Sequence, residues 1–248
     1  MSTKQAHRAV APFLPGPCEL RDQQTADSAA IVGQRAHWDG MFTSHPDMLG
    51  GEESAPARHA LEQFREQNAS HILELGGGQG RDTLFFAREG LSVTVLDFSP
   101  TGIEAIQRKV DASPLSGAMW PLCHDVRDRL PFDDATFDGC YSHMLSCMAF
   151  SLPELEAMYR EMWRVLKVGS LNIFTVRNTS DAHYGTGQRR GQDLYESGGF
   201  IVHFFDRRKI EHLSQGFELV DITELEEGDL PRRLYRVTLT KTEDQSYS

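Results

Sequence analysis

The stretch His71-Ile72-Leu73-Glu74-Leu75-Gly76-Gly77-Gly78-Gln79-Gly80 sets a short apolar run directly before a loop of alternating glycines. The run reads as a buried strand, and an amphipathic helical pattern resumes at Asp82. Glycines at such a junction let the chain turn sharply and let its backbone lie against a ligand that a Cβ would obstruct. Farther on, Leu91-Ser92-Val93-Thr94-Val95-Leu96-Asp97-Phe98-Ser99 reads as a second strand closed by a carboxylate. A glycine loop and an acid at neighbouring strand tips describe a nucleoside site. The dinucleotide fingerprint Gly-x-Gly-x-x-Gly does not fit, because its third glycine falls on Arg81 counted from Gly76 and on Thr83 counted from Gly78. That disfavours a nicotinamide-dependent oxidoreductase.

With Glu74 leading the glycines, the loop has the form acidic-x-Gly-x-Gly-x-Gly and resembles the first motif of the class I S-adenosylmethionine-dependent methyltransferases. Three further stretches match in order. Asp97 resembles the family's ribose-binding acid, with Phe98 beside it; a carboxylate's two oxygens suit two hydroxyls. The stretch His124-Asp125-Val126 through Asp138-Gly139-Cys140-Tyr141 is similar to the run from an adenine-contacting acid to the fourth strand. Glu161 to Ile173 is similar to the helix, turn and fifth strand that close the common core, with Val168 and Ser170 departing from the usual turn and Gly169 retained.

The resemblance spans roughly residues 36–240. It implies a Rossmann-like α/β fold with a seven-stranded, mostly parallel sheet, helices on both faces and an antiparallel last strand. S-adenosyl-L-methionine is the implied cofactor and S-adenosyl-L-homocysteine the product. The cofactor-binding set carried over is Trp38, Glu74, Gly76, Gly78, Gly80, Asp82, Asp97, Phe98, Asp125, Val126 and Ser142.

Periodicity supports alternating strands and helices. Helices are expected near residues 57–67, 82–89, 100–110, 153–166 and 206–214. Strands are expected near 71–75, 92–96, 118–123, 137–142, 171–176, 200–205, 217–223 and 233–240. At 248 residues with 40% hydrophobic content, one domain is the default. Residues 1–30, rich in breakers such as Pro12, Pro15 and Pro17, read as a flexible tail, and 241–248 as a second one. Residues 31–240 form the domain. Within it, 31–56 reads as either a packing helix or a lid carrying Trp38 and Phe42, aromatics able to attract a sulfonium. Residues 177–199 read as a polar, glycine-rich loop taken as a substrate-recognition insert. The acidic run Glu224 to Asp229 reads as a solvated connection.

A formal net charge of −11, without any long basic block, speaks against a nucleic-acid substrate and favours a small-molecule methyl acceptor. No apolar run approaches membrane-spanning length and no signal-peptide pattern opens the chain, so neither a membrane partner nor export is expected, and the location expected is cytoplasmic. Cys18, Cys123, Cys140 and Cys147 show no paired metal-ligand spacing and read as free thiols, with a thiol-dependent metalloid methyltransferase as a minor alternative. Oligomeric state is not legible.

Methyl transfer is an in-line displacement that positioning and electrostatics can accelerate without a covalent intermediate. A base is useful only where the acceptor loses a proton. His143, just after the fourth strand, is either such a base or a residue contacting the cofactor's methionine portion. His183 and Tyr184 are either acceptor-orienting groups or exposed loop residues, and Arg177 either clamps an anionic acceptor or pairs with a nearby carboxylate. His203, among apolar neighbours, reads as structural. A non-catalytic cofactor-sensing or scaffold protein of the same fold is the alternative from a different functional class.

Overall fold

The computed structural model describes residues 26–228 and 232–243. The flexible tail expected at residues 1–25 and the last five residues of the chain lie outside the described residues. The helices are α1 (Ala26–Ser44), α2 (Ala55–Glu66), α3 (Arg81–Arg88), α4 (Pro100–Asp111), α5 (Leu152–Val165) and α6 (Arg207–Leu213). The strands are β1 (His71–Leu75), β2 (Ser92–Asp97), β3 (Met119–Cys123), β4 (Phe137–His143), β5 (Leu166–Arg177), β6 (Gln188–Gly191), β7 (Leu194–Ser197), β8 (Phe200–His203), β9 (Phe217–Glu227) and β10 (Arg232–Lys241).

Seven strands form the main sheet in the order β3-β2-β1-β4-β5-β10-β9. The first five are parallel, and β10 is antiparallel to both β5 and β9. The central strands are buried on both faces, which is why they read as continuous apolar runs. Side chains alternate between the two layers: Ile72, Val93 and Val95 face the cluster containing residues of α2, α3 and α4, whereas Leu73, Leu75 and Leu96 face the cluster containing residues of α5 and α6.

Local chemistry fixes the helix starts. Ser54, Ser99 and Ser151 each cap a helix whose first turn holds a proline, and Ser151 forms a capping box with Glu154. Parallel pairing sends β1, β2, β3 and β4 out at one edge, and the double reversal through β10 sends β9 out at that same edge. Ligand sites of open α/β sheets collect there.

Three expectations change. Residues 26–30, expected in the tail, belong to α1, which is far longer than the short helix expected near His37. The insert is not all loop: its β6 and β7 join β8, the strand expected near 200–205, in a separate antiparallel sheet of three four-residue strands. β6 and β7 are too short and polar for periodicity to register. Finally, β9 runs through Glu227, so the acidic connection expected at 224–229 is mostly strand, and paired charges across it (Arg233 with Glu226, 3.1 Å) explain its composition.

Candidate active site

A cavity of about 420 Å³ opens at the edge where β1, β2, β4 and β9 end. Its floor is the glycine loop. Gly76 N–H and Gly77 N–H both donate to Leu96 O, at 2.7 and 3.2 Å, tying the loop to β2. Gly78 has φ +55°, a conformation costly for residues with a Cβ, and its N–H donates to Asp97 Oδ2 at 2.8 Å. The other Asp97 oxygen accepts the Ser99 N–H at 2.9 Å. Each oxygen thus retains acceptor capacity. Burial pushes the Asp97 carboxyl up to about 6, against the lowering effect of those N–H groups.

Glu74 faces the same space. Its Oε2 accepts from Thr83 Oγ1 at 2.5 Å, and burial, reinforced by the nearby Asp82 charge, pushes its carboxyl up to about 8. A buried acid in this state is poised to be ionised by an arriving cation. Asp82 also borders the cavity but is already saturated, accepting from Ser54 N, Ser54 Oγ, Tyr141 Oη and the Arg81 guanidinium. Burial raises its carboxyl, yet the Arg81 contacts win and hold it below the ordinary value. Its work is to fasten the start of α2 to the start of α3.

Of the other sequence-derived residues, Trp38, Gly76, Phe98, Asp125, Val126 and His143 line the cavity, whereas Gly80 and Ser142 do not. Gly80 caps α3 at φ +79°, where an added Cβ would lie 2.8 Å from Ile106 Cγ1. Ser142 is fully buried, with no hydrogen bond to its hydroxyl. Asp125 accepts from Arg127 N at 3.0 Å and pairs with its guanidinium at 3.2 Å, which orients the carboxylate. Beside it, His124 contributes a buried Nε2 without a protein partner at the cavity wall.

The roof comes from α1 and the loop after it. Trp38 and Phe42 lie 5.5 Å apart by ring centroids, and Leu49 and Phe42 rest against Gly78. Polar latches hold the roof down: Asp39 accepts from Ser99 Oγ, Gln79 donates to His45 O at 2.9 Å, and Arg81 donates to Leu49 O at 3.2 Å.

Arg177, His183 and Tyr184 lie away from this space, and no residue of 177–205 lines the cavity. Arg177 pairs with buried Asp181 at 2.5 Å and contacts His183 Nδ1 at 2.8 Å, so its guanidinium is committed internally. Tyr184 donates to Asp193 at 2.8 Å. His203 fulfils its structural reading: Nδ1 meets Phe150 O at 2.9 Å and Nε2 meets Lys209 Nζ at 2.9 Å, and burial with the Lys209 charge pushes its pKa down to about 4. The insert contributes support instead. Gln34 donates to Gly199 O at 2.9 Å, Trp38 meets Phe200 at 5.1 Å, and His203 N–H holds Cys147 O at 2.9 Å.

Two groups at the cavity escape a linear reading. Glu227, at the end of β9, places Oε2 3.2 Å from His143 Nε2. Arg81, directly after the glycines, joins it. The missed signal was directional: a strand returning parallel to the first five delivers its last residue to the ligand edge.

Residues 72–169 match the family model of a methyltransferase domain. The chain is 28% identical over 101 residues, 41% of its length and 40% of the other, to the ubiquinone/menaquinone biosynthesis C-methyltransferase UbiE of Zymomonas mobilis. It is 29% identical over 146 residues, 55% of its length and 38% of the other, to 24-methylenesterol C-methyltransferase 3 of Arabidopsis thaliana. The chain thus spans about 40% of the length of these curated relatives. A Burkholderia thailandensis 1,6-didemethyltoxoflavin-N1-methyltransferase, solved with 1,6-didemethyltoxoflavin and S-adenosylhomocysteine, superposes with a TM-score of 0.68 at 18% identity, covering 96% of this chain and 99% of that one, and shows the shared fold. Residues 72–169 are thus a methyltransferase domain, and the ordered motifs and strand order around it match the fold of the class I S-adenosylmethionine-dependent methyltransferases. The cavity fits that cofactor: a glycine cradle a Cβ would obstruct, a buried diol-sized acceptor pair at Asp97, and a buried acid at Glu74.

Proposed function

We propose that the chain catalyses in-line methyl transfer from S-adenosylmethionine to a small organic acceptor held under the α1 roof. When bound, the cofactor supplies an electrophilic methyl on a sulfonium. Asp97 takes the ribose hydroxyls through the acceptor capacity that Gly78 and Ser99 leave free. Glu74, ionised by the incoming ammonium, holds the methionine end, and Asp125, oriented by Arg127, meets the adenine edge. Phe98 and Val126 supply apolar contact for the adenosine, while Trp38 and Phe42 exclude water from the reacting end. The observation that carries this reading is the buried Asp97 carboxylate bound to the Gly78 N–H, because it joins the glycine loop and the acid into one cradle.

A small acceptor suits a cavity of about 420 Å³ roofed by a helix and a chain of charge −11. Metalloid chemistry draws no support from Cys140 or Cys147: burial pushes Cys140 well up and Cys147 up to about 11, suppressing thiolate. Among the described residues no helix is long and apolar enough to cross a membrane.

Calorimetry with S-adenosylmethionine and S-adenosylhomocysteine, followed by transfer of labelled methyl into a metabolite extract, tests the proposal. Micromolar binding with label transfer is expected. Failure to bind either compound would overturn it, and binding without transfer would favour a sensor.

A further inference from the structure

His143 is a candidate base by its position after β4, yet both of its ring nitrogens have protein partners. Nδ1 lies 2.8 Å from Thr175 Oγ1, and Nε2 lies 3.2 Å from Glu227 Oε2. Thr175 Oγ1 accepts the Met144 N–H at 2.9 Å, so its own proton is free to point at Nδ1. The neutral ring then carries its proton on Nε2, toward Glu227, and has no lone pair left for an acceptor.

Glu227 differs. It lines the cavity, and Oε1 makes no hydrogen bond among the described residues. Burial raises its carboxyl, but the His143 contact and the charges of Arg81 and Arg232 outweigh it and hold the group below its ordinary value, as a carboxylate. The charged groups facing it are therefore His143 from β4, Arg81 from α3 and Arg232 from β10. The same cavity is also lined by Met48, Met144 and Met148, polarizable side chains that adapt to ring shapes.

We propose that Glu227 is the catalytic carboxylate that recognises the acceptor, with His143 and Thr175 as positioning residues, and that the acceptors are largely apolar molecules presenting a neutral O–H or N–H. Such a donor satisfies Oε1, whereas an acceptor carboxylate meets like charge. On transfer, the acceptor's oxygen or nitrogen bonds to the methyl carbon, the carbon–sulfur pair leaves with sulfur, and the acceptor proton passes to Glu227. The inference rests on the methyl-transfer function proposed above.

The full chain saturated with S-adenosylhomocysteine is titrated calorimetrically with 2-naphthol and with 2-naphthoate. Naphthol is expected to bind about tenfold tighter or more, the scale of a hydrogen bond to a charged group. Glu227→Gln should bring the two within about threefold while leaving S-adenosylhomocysteine affinity unchanged. Should that variant misfold, Glu227→Asp should weaken naphthol binding in the same sense by retracting the carboxylate. Naphthol binding falls as acid protonates Glu227, and in His143→Gln that fall should move to higher pH, which a merely structural histidine would not cause. Equal binding of the two probes, tighter binding of naphthoate, no naphthol binding, or an unmoved pH profile overturns the inference. Absence of S-adenosylhomocysteine binding instead overturns the underlying function.

Discussion

The two halves of the cavity are built differently. The half proposed for the cofactor is assembled from residues close in sequence, at the tips of two adjacent strands paired in parallel: Glu74 to Gly80 at the end of β1 and Asp97 to Ser99 at the end of β2. The half proposed for the acceptor draws on α1, the end of β4, the end of β9 and the start of β10, and is braced by a small sheet that never reaches the cavity. Local chemistry therefore dictates the first half and packing dictates the second. A motif survives reading in one dimension; a wall made of distant segments does not.

Substitutions can break that contrast. The largest effect is expected for Asp97→Ala, which should weaken S-adenosylmethionine binding by about a hundredfold, the loss of two hydrogen bonds to a charged group, with an unchanged circular-dichroism spectrum. A normal dissociation constant would detach the acid from the cofactor. Arg177→Ala should behave oppositely. It strands buried Asp181 and should cost about 2–4 kcal/mol in urea unfolding, while cofactor affinity in the folded protein holds, separating scaffold from site. Loss of affinity without loss of stability would return Arg177 to the cavity.

A smaller effect should sharpen the link between insert and roof. Phe200→Ala removes the ring under Trp38 and should raise the acceptor KM about three- to tenfold, consistent with an aromatic contact of about 1 kcal/mol, with S-adenosylhomocysteine binding little changed. An unchanged KM would show that the small sheet does not brace the roof.

The smallest effect is a pH signature of Glu74. Its folded pKa is raised, so between about 4.5 and 8 the folded chain keeps a proton that the unfolded chain releases, and the ligand-free protein should lose stability as pH rises across that window. Cofactor binding needs the ionised form, so affinity should rise by about threefold between about pH 7.5 and 8.5, with proton release in calorimetry. Glu74→Gln should flatten both profiles, and a slope surviving in that variant would assign the titration elsewhere.

Strand and helix placement was legible wherever an element's own side chains were buried along its length, as in β1, β2 and β4. Of the small sheet only β8 was, because β6 (Gln188–Gly191) presents mostly exposed polar side chains and is ordered by pairing with β7, which in turn pairs with β8. Among the candidate site residues, the glycine loop and Asp97 were brought together where their spacing put them. His143 was placed by spacing, but its engagement with Thr175 and Glu227 was not. For Arg177 the sequence left a clamp and an ion pair equally open, and Asp181, four residues on, supplies the ion pair.

From the sequence alone came the alternation of strands and helices, the glycine turn and the acid of the next strand, since backbone sterics and side-chain burial act over a few residues. Tertiary structure alone decided which carboxylates remain open to a ligand. Asp82 is saturated by Ser54 and Tyr141, brought in from 28 and 59 residues away, while Glu227 arrives at the cavity through a strand reversal. Hydrogen-bond capacity is used up by whichever partners the fold delivers, and those partners are not neighbours in the chain.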